Sequence, residues 1–464
     1  CSSDLAIIEV VYENHPVKGE LTVVKKGEVL KDYGKDFKYE MENLAGAVFA
    51  IYAAEDIYTA DFQKDDAGNR ILEYAKDTLV AELTTDETGS ATIKNLPLGN
   101  YRVVEKTAPD GFVHNKAEQN VQFVYVDQDT PAVVESVEFI NERQKVEISV
   151  EKQDAENGST IAGAEFGLYA KEDIKAGGKV IVKADEQLCT AVTGEDGTAI
   201  FEQNLPFGSY YIKELQAPDG FVSSDEIIEV TVSYQGQDVE VVRLKEIFKN
   251  QPTTVEFRKS DLTTGVELDG ATLTVLDKDG NEIDKWTSVK GEPHIIKRLH
   301  VGETYILREE FAPYGYLKAE EVEFTITDTA EIQKVEMKDD VPIGRIIINK
   351  KGEFLSEVSW NDMVAGAMDS IWGYVTGSLK DVTFEIYARE DIKAADGESD
   401  DYYKKDELVA TIKTDELGIA RTDDLPLGKY YVVEKETADG FVLDGEPRDI
   451  DLTRSEEHTS ELSH

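Results

Sequence analysis

The sequence predicts an all-β chain, a tandem array of β-sandwiches joined end to end, and three features carry that expectation. Val, Ile, Thr and Tyr are plentiful and glycine-bearing turns recur at short spacing, the signature of short strands. At 464 residues the chain is too long for one core. One block also recurs four times: a Tyr-led strand that delivers a glutamate just before a turn. The copies read Tyr101-Arg-Val-Val-Glu105-Lys-Thr-Ala-Pro-Asp-Gly111, Tyr210-Tyr-Ile-Lys-Glu214-Leu-Gln-Ala-Pro-Asp-Gly220, Tyr305-Ile-Leu-Arg-Glu309-Glu-Phe-Ala-Pro-Tyr-Gly315 and Tyr430-Tyr-Val-Val-Glu434-Lys-Glu-Thr-Ala-Asp-Gly440. Strand side chains alternate faces. Tyr101, Val103 and Glu105 therefore share a face, and the other copies repeat the pattern, which puts a carboxylate on the core side each time. A buried charge is costly unless paired or neutralised.

Residues 1–19 read as the terminal strand of a preceding domain plus a junction, with Val10, Tyr12 and Asn14 alternating on one face. The same strand-then-junction pattern recurs at Val137, Phe139, Asn141; at Phe248, Asn250; and at Val335, Met337, Asp339. Each junction leads within nine to eleven residues to a new strand whose inward parity ends on a lysine: Lys25, Lys152, Lys259 and Lys350. Joints this short predict neighbouring domains stacked with little slack. The boundaries that follow are 20–141, 142–250, 251–339 and a truncated fourth unit, 340–453.

Inside each unit a second strand follows, Leu44–Tyr52, Ile161–Tyr169, Leu268–Leu276 and Leu379–Tyr387. In three copies Glu-Asp-Ile then opens a polar excursion, at Glu55, Glu172 and Glu390. A hairpin turning at Gly89, Gly197 or Gly418 comes next, and Leu-Pro-x-Gly leads into the glutamate strand. The third unit is the compact copy. The fourth carries an extra stretch, 353–378, where Trp360, Met363, Val364, Ala367, Ile371, Tyr374 and Val375 recur at helical spacing behind a Ser359 cap, so a short amphipathic helix is expected. Residues 454–464 have no strand alternation. They resemble the translation of a sequencing-adapter oligonucleotide and are set aside from fold reasoning.

Acidic residues outnumber basic ones 95 to 49, a formal charge of −46, which argues against nucleic acid or an anionic membrane as partner. Cys1 and Cys189 are too few for a disulfide framework. No run reaches transmembrane length. None of the six histidines lies beside a repeated nucleophile, so no enzyme is indicated. Asp277-Lys-Asp-Gly-Asn-Glu282 is shorter than a calcium loop and reads as a hairpin turn, and neither metal nor cofactor is called for.

A lysine on the first strand, a glutamate mid-domain and an Asn or Asp on the last strand recur in that order. With Ala-Pro-Asp-Gly after the glutamate, the pattern resembles the Cna B-type domains (SpaA-like, prealbumin-like fold) of Gram-positive surface proteins and pilins, over nearly the whole chain. The resemblance implies Ig-like or prealbumin-like sandwiches whose first and last strands are joined by a spontaneous Lys–Asn or Lys–Asp isopeptide bond promoted by the buried glutamate. By position the crosslinks are Lys25–Asn141 with Glu105, Lys152–Asn250 with Glu214, and Lys259–Asp339 with Glu309. Lys350 with Glu434 lacks its partner within the sequence, and Asn14 lacks its lysine. The third set departs by using Asp, which releases water instead of ammonia; the fourth has Ala438 in place of the turn proline.

Elementary chemistry agrees with these roles. Burial lowers a lysine's pKa and frees the amine. A protonated glutamate is expected to donate to the Asn or Asp oxygen, and the fold supplies effective molarity. The competing reading is a buried ion pair with a hydrogen-bonding Asn. The function implied is a stalk or shaft segment of an extracellular, cell-wall-anchored adhesin or pilin-like protein. Its partners are neighbouring domains, other pilin subunits, or host surface and matrix proteins. A ligand-binding adhesin module, gripping through Tyr58–Thr78 or Trp360–Val375, is the alternative.

Overall fold

The computed structural model describes residues 8–59, 64–360 and 370–453. Among them there is no helix, and so none long and apolar enough to cross a membrane. The chain divides into two compact units, residues 1–252 and 253–464.

In the first unit two sandwiches share one plan. The opening strand Lys18–Tyr33 lies between Ala132–Asn141, its parallel neighbour, and Ser90–Leu96, which pairs antiparallel. The facing sheet runs Leu79–Thr84, Val48–Ala53, Gly99–Thr107, Glu118–Phe123. The second sandwich repeats this with Thr198–Ile200, Lys145–Asp154 and Val241–Asn250 facing a sheet of Gln187–Val192, Glu165–Ala170, Gly208–Gln216 and Ile227–Val232. In the second unit the third sandwich sets His294–Lys297, Thr254–Asp261 and Gln333–Asp339 against Glu282–Thr287, Thr272–Leu276, Thr304–Phe311 and Val322–Thr325. The Asp277 loop closes the hairpin between Thr272–Leu276 and Glu282–Thr287: its carboxylate accepts from the Asp279 and Asn281 amides.

The fourth sandwich keeps the sheet of Leu408–Lys413, Thr383–Ala388, Gly428–Glu436 and Arg448–Leu452. Its opening strand Ile347–Asn349 pairs with Ile419–Arg421 and has no parallel neighbour among the described residues. Residues 8–17 form no strand, and Val10 and Tyr12 lie 64% and 88% exposed. The expectation for 454–464 falls outside the described residues.

One expectation is overturned. The stretch read as an amphipathic helix is a β-hairpin, Lys351–Trp360 against Ser370–Ser378, although its tip lies outside the described residues. The second strand is apolar on both parities, Trp372 and Tyr374 on one and Ile371 and Val375 on the other, in strand-forming residue types, and Gly373 and Gly377 count against a helix. An unforeseen counterpart exists in the first sandwich, where the opening strand runs on past Lys25 to Tyr33 and turns back as Phe37–Asn43.

The core of each sandwich follows the parity seen in the sequence. Leu21, Val23, Phe49, Ile51, Tyr101 and Val103 are fully buried, and each has its equivalent in the second copy. Burying such side chains is worth about 1.5–3 kcal/mol each, which fixes strand register because a one-residue slip would expose the whole set.

Candidate functional site

The same inward parity delivers three polar residues to one point in the core. Lys25 and Asn141 come from adjacent parallel strands of one sheet, in a register that pairs Lys25 with Phe139 and Gly27 with Asn141. Asn141 is therefore two residues beyond the lysine's direct partner, on the same face, within reach of a long side chain. Glu105 crosses from the facing sheet, where it pairs with Phe49. Lys25 is 0% exposed, Glu105 4% and Asn141 1%.

Within this point the contacts are specific. Lys25 Nζ donates to Asn141 Oδ1 in close contact and lies 3.0 Å from Glu105 Oε1. Asn141 Nδ2 donates to both Glu105 oxygens, at 3.0 and 2.8 Å. The second copy repeats the geometry: Lys152 Nζ donates to Asn250 Oδ1 and stands 2.7 Å from Glu214, while Asn250 Nδ2 reaches the Glu214 oxygens at 2.9 and 2.8 Å. The third brings Lys259 onto Asp339 Oδ1 and 3.0 Å from Glu309 Oε1. The fourth pairs Lys350 with Glu434 Oε2 at 2.7 Å, and leaves Glu434 Oε1 buried without a hydrogen-bond partner among the described residues. Asn14 is exposed and outside any strand.

The glutamate's orientation differs from expectation. It faces the amide nitrogen of Asn141 and Asn250, not the carbonyl oxygen, because that oxygen already accepts from the lysine. In the third site both partners are carboxyls. Asp339 Oδ2 is buried with no hydrogen-bond partner among the described residues, and burial raises the Asp339 carboxyl to about 6, with Lys259 opposing the effect and the charge of Glu309 adding to it.

Aromatic walls dry the first two sites. Phe49 and Phe139 pack tilted, with ring centroids 4.9 Å apart, beside Lys25, and Phe166 and Phe248 likewise at 4.8 Å beside Lys152. Burial accordingly pushes both lysines below the ordinary lysine value, more strongly than the neighbouring glutamate restores it. In the third copy the wall residues are Leu273 and Met337.

Sequence reasoning missed what holds the site. Ten residues after each of the first three glutamates, a backbone amide donates to its second oxygen: Asn115 to Glu105 at 2.7 Å, Ser224 to Glu214 at 2.9 Å and Ala319 to Glu309 at 2.7 Å. The Pro-x-Gly turn exists to fold the chain back for that bond. The Leu-Pro-x-Gly motif serves the tyrosine, whose hydroxyl donates to the proline carbonyl: Tyr101 to Pro97, Tyr210 to Pro206, Tyr430 to Pro426. The hairpin glycine pins the lysine's own backbone, since the Lys25, Lys152 and Lys350 amides donate to the carbonyls of Gly89, Gly197 and Gly418 at 2.8–2.9 Å. Gly197 has φ 74°, and a Cβ there would sit 2.5 Å from Thr160 Cβ. The regular spacing of these turn residues was the available signal.

Comparisons with known proteins follow the same fourfold division. No curated protein matches the chain. Among solved structures it is similar to the Bacillus anthracis TIE protein (19% identity, TM-score 0.41, covering 93% of this chain and 72% of that one). It is also similar to BcpA, the major pilin subunit of Bacillus cereus (16%, 0.34, covering 70% and 100%), and to the major pilin SpaD from Corynebacterium diphtheriae (18%, 0.27, covering 70% and 97%). The model of the SpaA prealbumin-like fold domain matches residues 35–138, 146–246, 253–341 and 374–463, and the chain accordingly belongs to this family, as a tandem array of its domains.

Proposed function

We propose that the chain is a load-bearing segment of a Gram-positive surface stalk or pilin-like shaft, outside the cell, whose sandwiches lock themselves covalently. The observation that carries this reading is the threefold convergence of a buried lysine and an Asn or Asp from adjacent parallel strands with a glutamate from the facing sheet. The domain boundaries 20–141, 142–250 and 251–339 go with it, each enclosing one lysine and its acceptor.

The chemistry balances without a cofactor. A lysine ammonium beside a carboxylate in a dry core passes its proton to the glutamate, because two neutral groups are cheaper there than two charges. The freed Nζ attacks the acceptor's side-chain carbon, which fold geometry holds in contact, so proximity replaces activation. The Nζ–C bond forms and the C–Nδ2 bond breaks. The glutamate, placed against Nδ2, gives its proton to the leaving nitrogen, which departs as ammonia, and takes up in its place the second proton released by Nζ. With Asp339 the leaving group is hydroxide plus that proton, which is water.

Intact mass of the purified chain tests this. The expected value is the sequence mass less two ammonias and one water, with Lys350 free. A mass equal to the sequence mass reduces the triads to ion pairs and removes the covalent shaft, leaving the fold untouched.

A further inference from the structure

The two hairpins that interrupt the first and fourth sandwiches are the same device, and among the described residues the fourth leaves exposed the face that the first buries. Both follow the site lysine directly, as Lys26-Gly-Glu-Val-Leu30 and Lys351-Gly-Glu-Phe-Leu355. Their registers coincide pair for pair: Lys26 with Asn43 and Lys351 with Ser378, Leu30 with Tyr39 and Leu355 with Tyr374. Even the bulge falls at the same step, Leu30/Asp32 and Leu355/Glu357. After it, Tyr33 pairs with Phe37 and Val358 with Trp372. The roots match too. A Cβ on Gly27 would lie 2.5 Å from the Phe112 ring, and one on Gly352 2.5 Å from the Phe441 ring, each ring following its own turn glycine. The hairpins therefore leave their sandwiches from the same place.

In the first unit this hairpin grips the second sandwich. Phe37 is buried in that sandwich's core, with Leu30, Tyr33 and Tyr39 packed around it. The Tyr33 hydroxyl donates to Leu188 O, the Tyr39 hydroxyl to Asn204 O, and the Asn204 amide to Asp36. The register equivalents on the fourth hairpin, Leu355, Trp372 and Tyr374, are 52%, 54% and 59% exposed. Large apolar side chains gathered on one strand-pair face mark an interaction surface.

We propose that the fourth hairpin is a clasp for a β-sandwich of this same fold, one that presents the face the second sandwich presents to Tyr33, Phe37 and Tyr39. The occupant is fixed by precedent within the chain: the same register, bulge and root, seated on such a face. Trp372 takes the place of Phe37 as the inserted anchor, and Tyr374 that of Tyr39 as the hydroxyl reaching a backbone carbonyl. The inference is independent of the crosslinks.

Two experiments on the full chain test it. Phe37→Trp gives the first hairpin the anchor of the fourth. Amide exchange across Tyr33–Tyr39 is expected to stay within about threefold of wild type, against a rise of about tenfold or more in Phe37→Ser. The variant Tyr33→Ser/Phe37→Ser/Tyr39→Ser uncovers the second sandwich, so this chain should self-associate in sedimentation at about 0.5 mM, near the effective concentration of a short joint. Adding Trp372→Ser/Tyr374→Ser should abolish that association. The proposal is overturned if the tryptophan variant opens like the serine one, if the uncovered chain stays monomeric, or if association survives loss of Trp372 and Tyr374. Any of these assigns the fourth hairpin to an unrelated ligand.

Discussion

Glu105 can be tested one atom group at a time. With Glu105→Ala the proposed proton relay between Lys25 and Asn141 is gone, and the deficit between the variant's sequence mass and its intact mass should shrink by one ammonia. The first sandwich also loses closure of a 116-residue separation, on the order of 4–5 kcal/mol by the chain-entropy estimate, so it should melt before the second and third. Asp339 gives a pH signature instead. Its folded carboxyl lies at about 6, above an unfolded value near 3.9, so its contribution to stability is full below about pH 4 and lost as pH rises through 6. Lys259→Met blocks the bond and removes the charge opposing that upward shift. The third sandwich of this variant should melt higher at pH 4 than at pH 7, and Asp339→Asn added to it should erase that dependence. The triads were legible in the sequence because strand parity alone decides which residues turn inward. The aim of the glutamate was not, since it depends on which amide atom the lysine claims first and on a backbone amide ten residues away.

Between residue and molecule stands the hairpin. Phe37 fills a pocket in the second sandwich, and Arg143 stacks over Tyr39 at 4.1 Å while donating to Asn204, so hairpin and junction close on each other. Beside them the Val113 and His114 amides donate to Glu142 O and Gln237 O, each at 2.8 Å. Truncating a buried Phe costs about 3–5 kcal/mol. Phe37→Ala should therefore free the hairpin while leaving both crosslinks intact. Limited proteolysis is expected to cut first within Tyr33–Tyr39, with the mass loss of the reacted lysines unchanged. The sandwich strands could be read from alternation and turn chemistry, yet both hairpins escaped. The first lay in a polar run, Lys31–Glu42, whose three aromatics bury against a different domain. The second is apolar on both strand parities, so a helical spacing could be drawn through it, and its shared Lys-Lys-Gly-Glu opening was the signal for a hairpin.

At the scale of the whole molecule the parallel pairing of first and last strands decides how tension travels. Lys18 lies opposite Ala132 and Gly27 opposite Asn141, so a pull entering at the start of one strand and leaving at the end of the other shears the ladder instead of unzipping it. The proposed bond from Lys25 to Asn141 would lie across that path and hide the 115 residues between them from the load. An acidic surface of net charge −46 keeps such segments apart from one another in solution, but it gives no resistance to extension. Resistance has to come from the bonds. Stretched singly by its ends, the wild-type chain is expected to lengthen at the fourth sandwich, where among the described residues Lys350 pairs with Glu434 alone, and to show no release from the first three. Glu105→Ala should add one event of about 400 Å, the contour of 116 residues at 3.3–3.6 Å each. The same event in the wild-type chain would mean that the first sandwich carries load through hydrogen bonds alone.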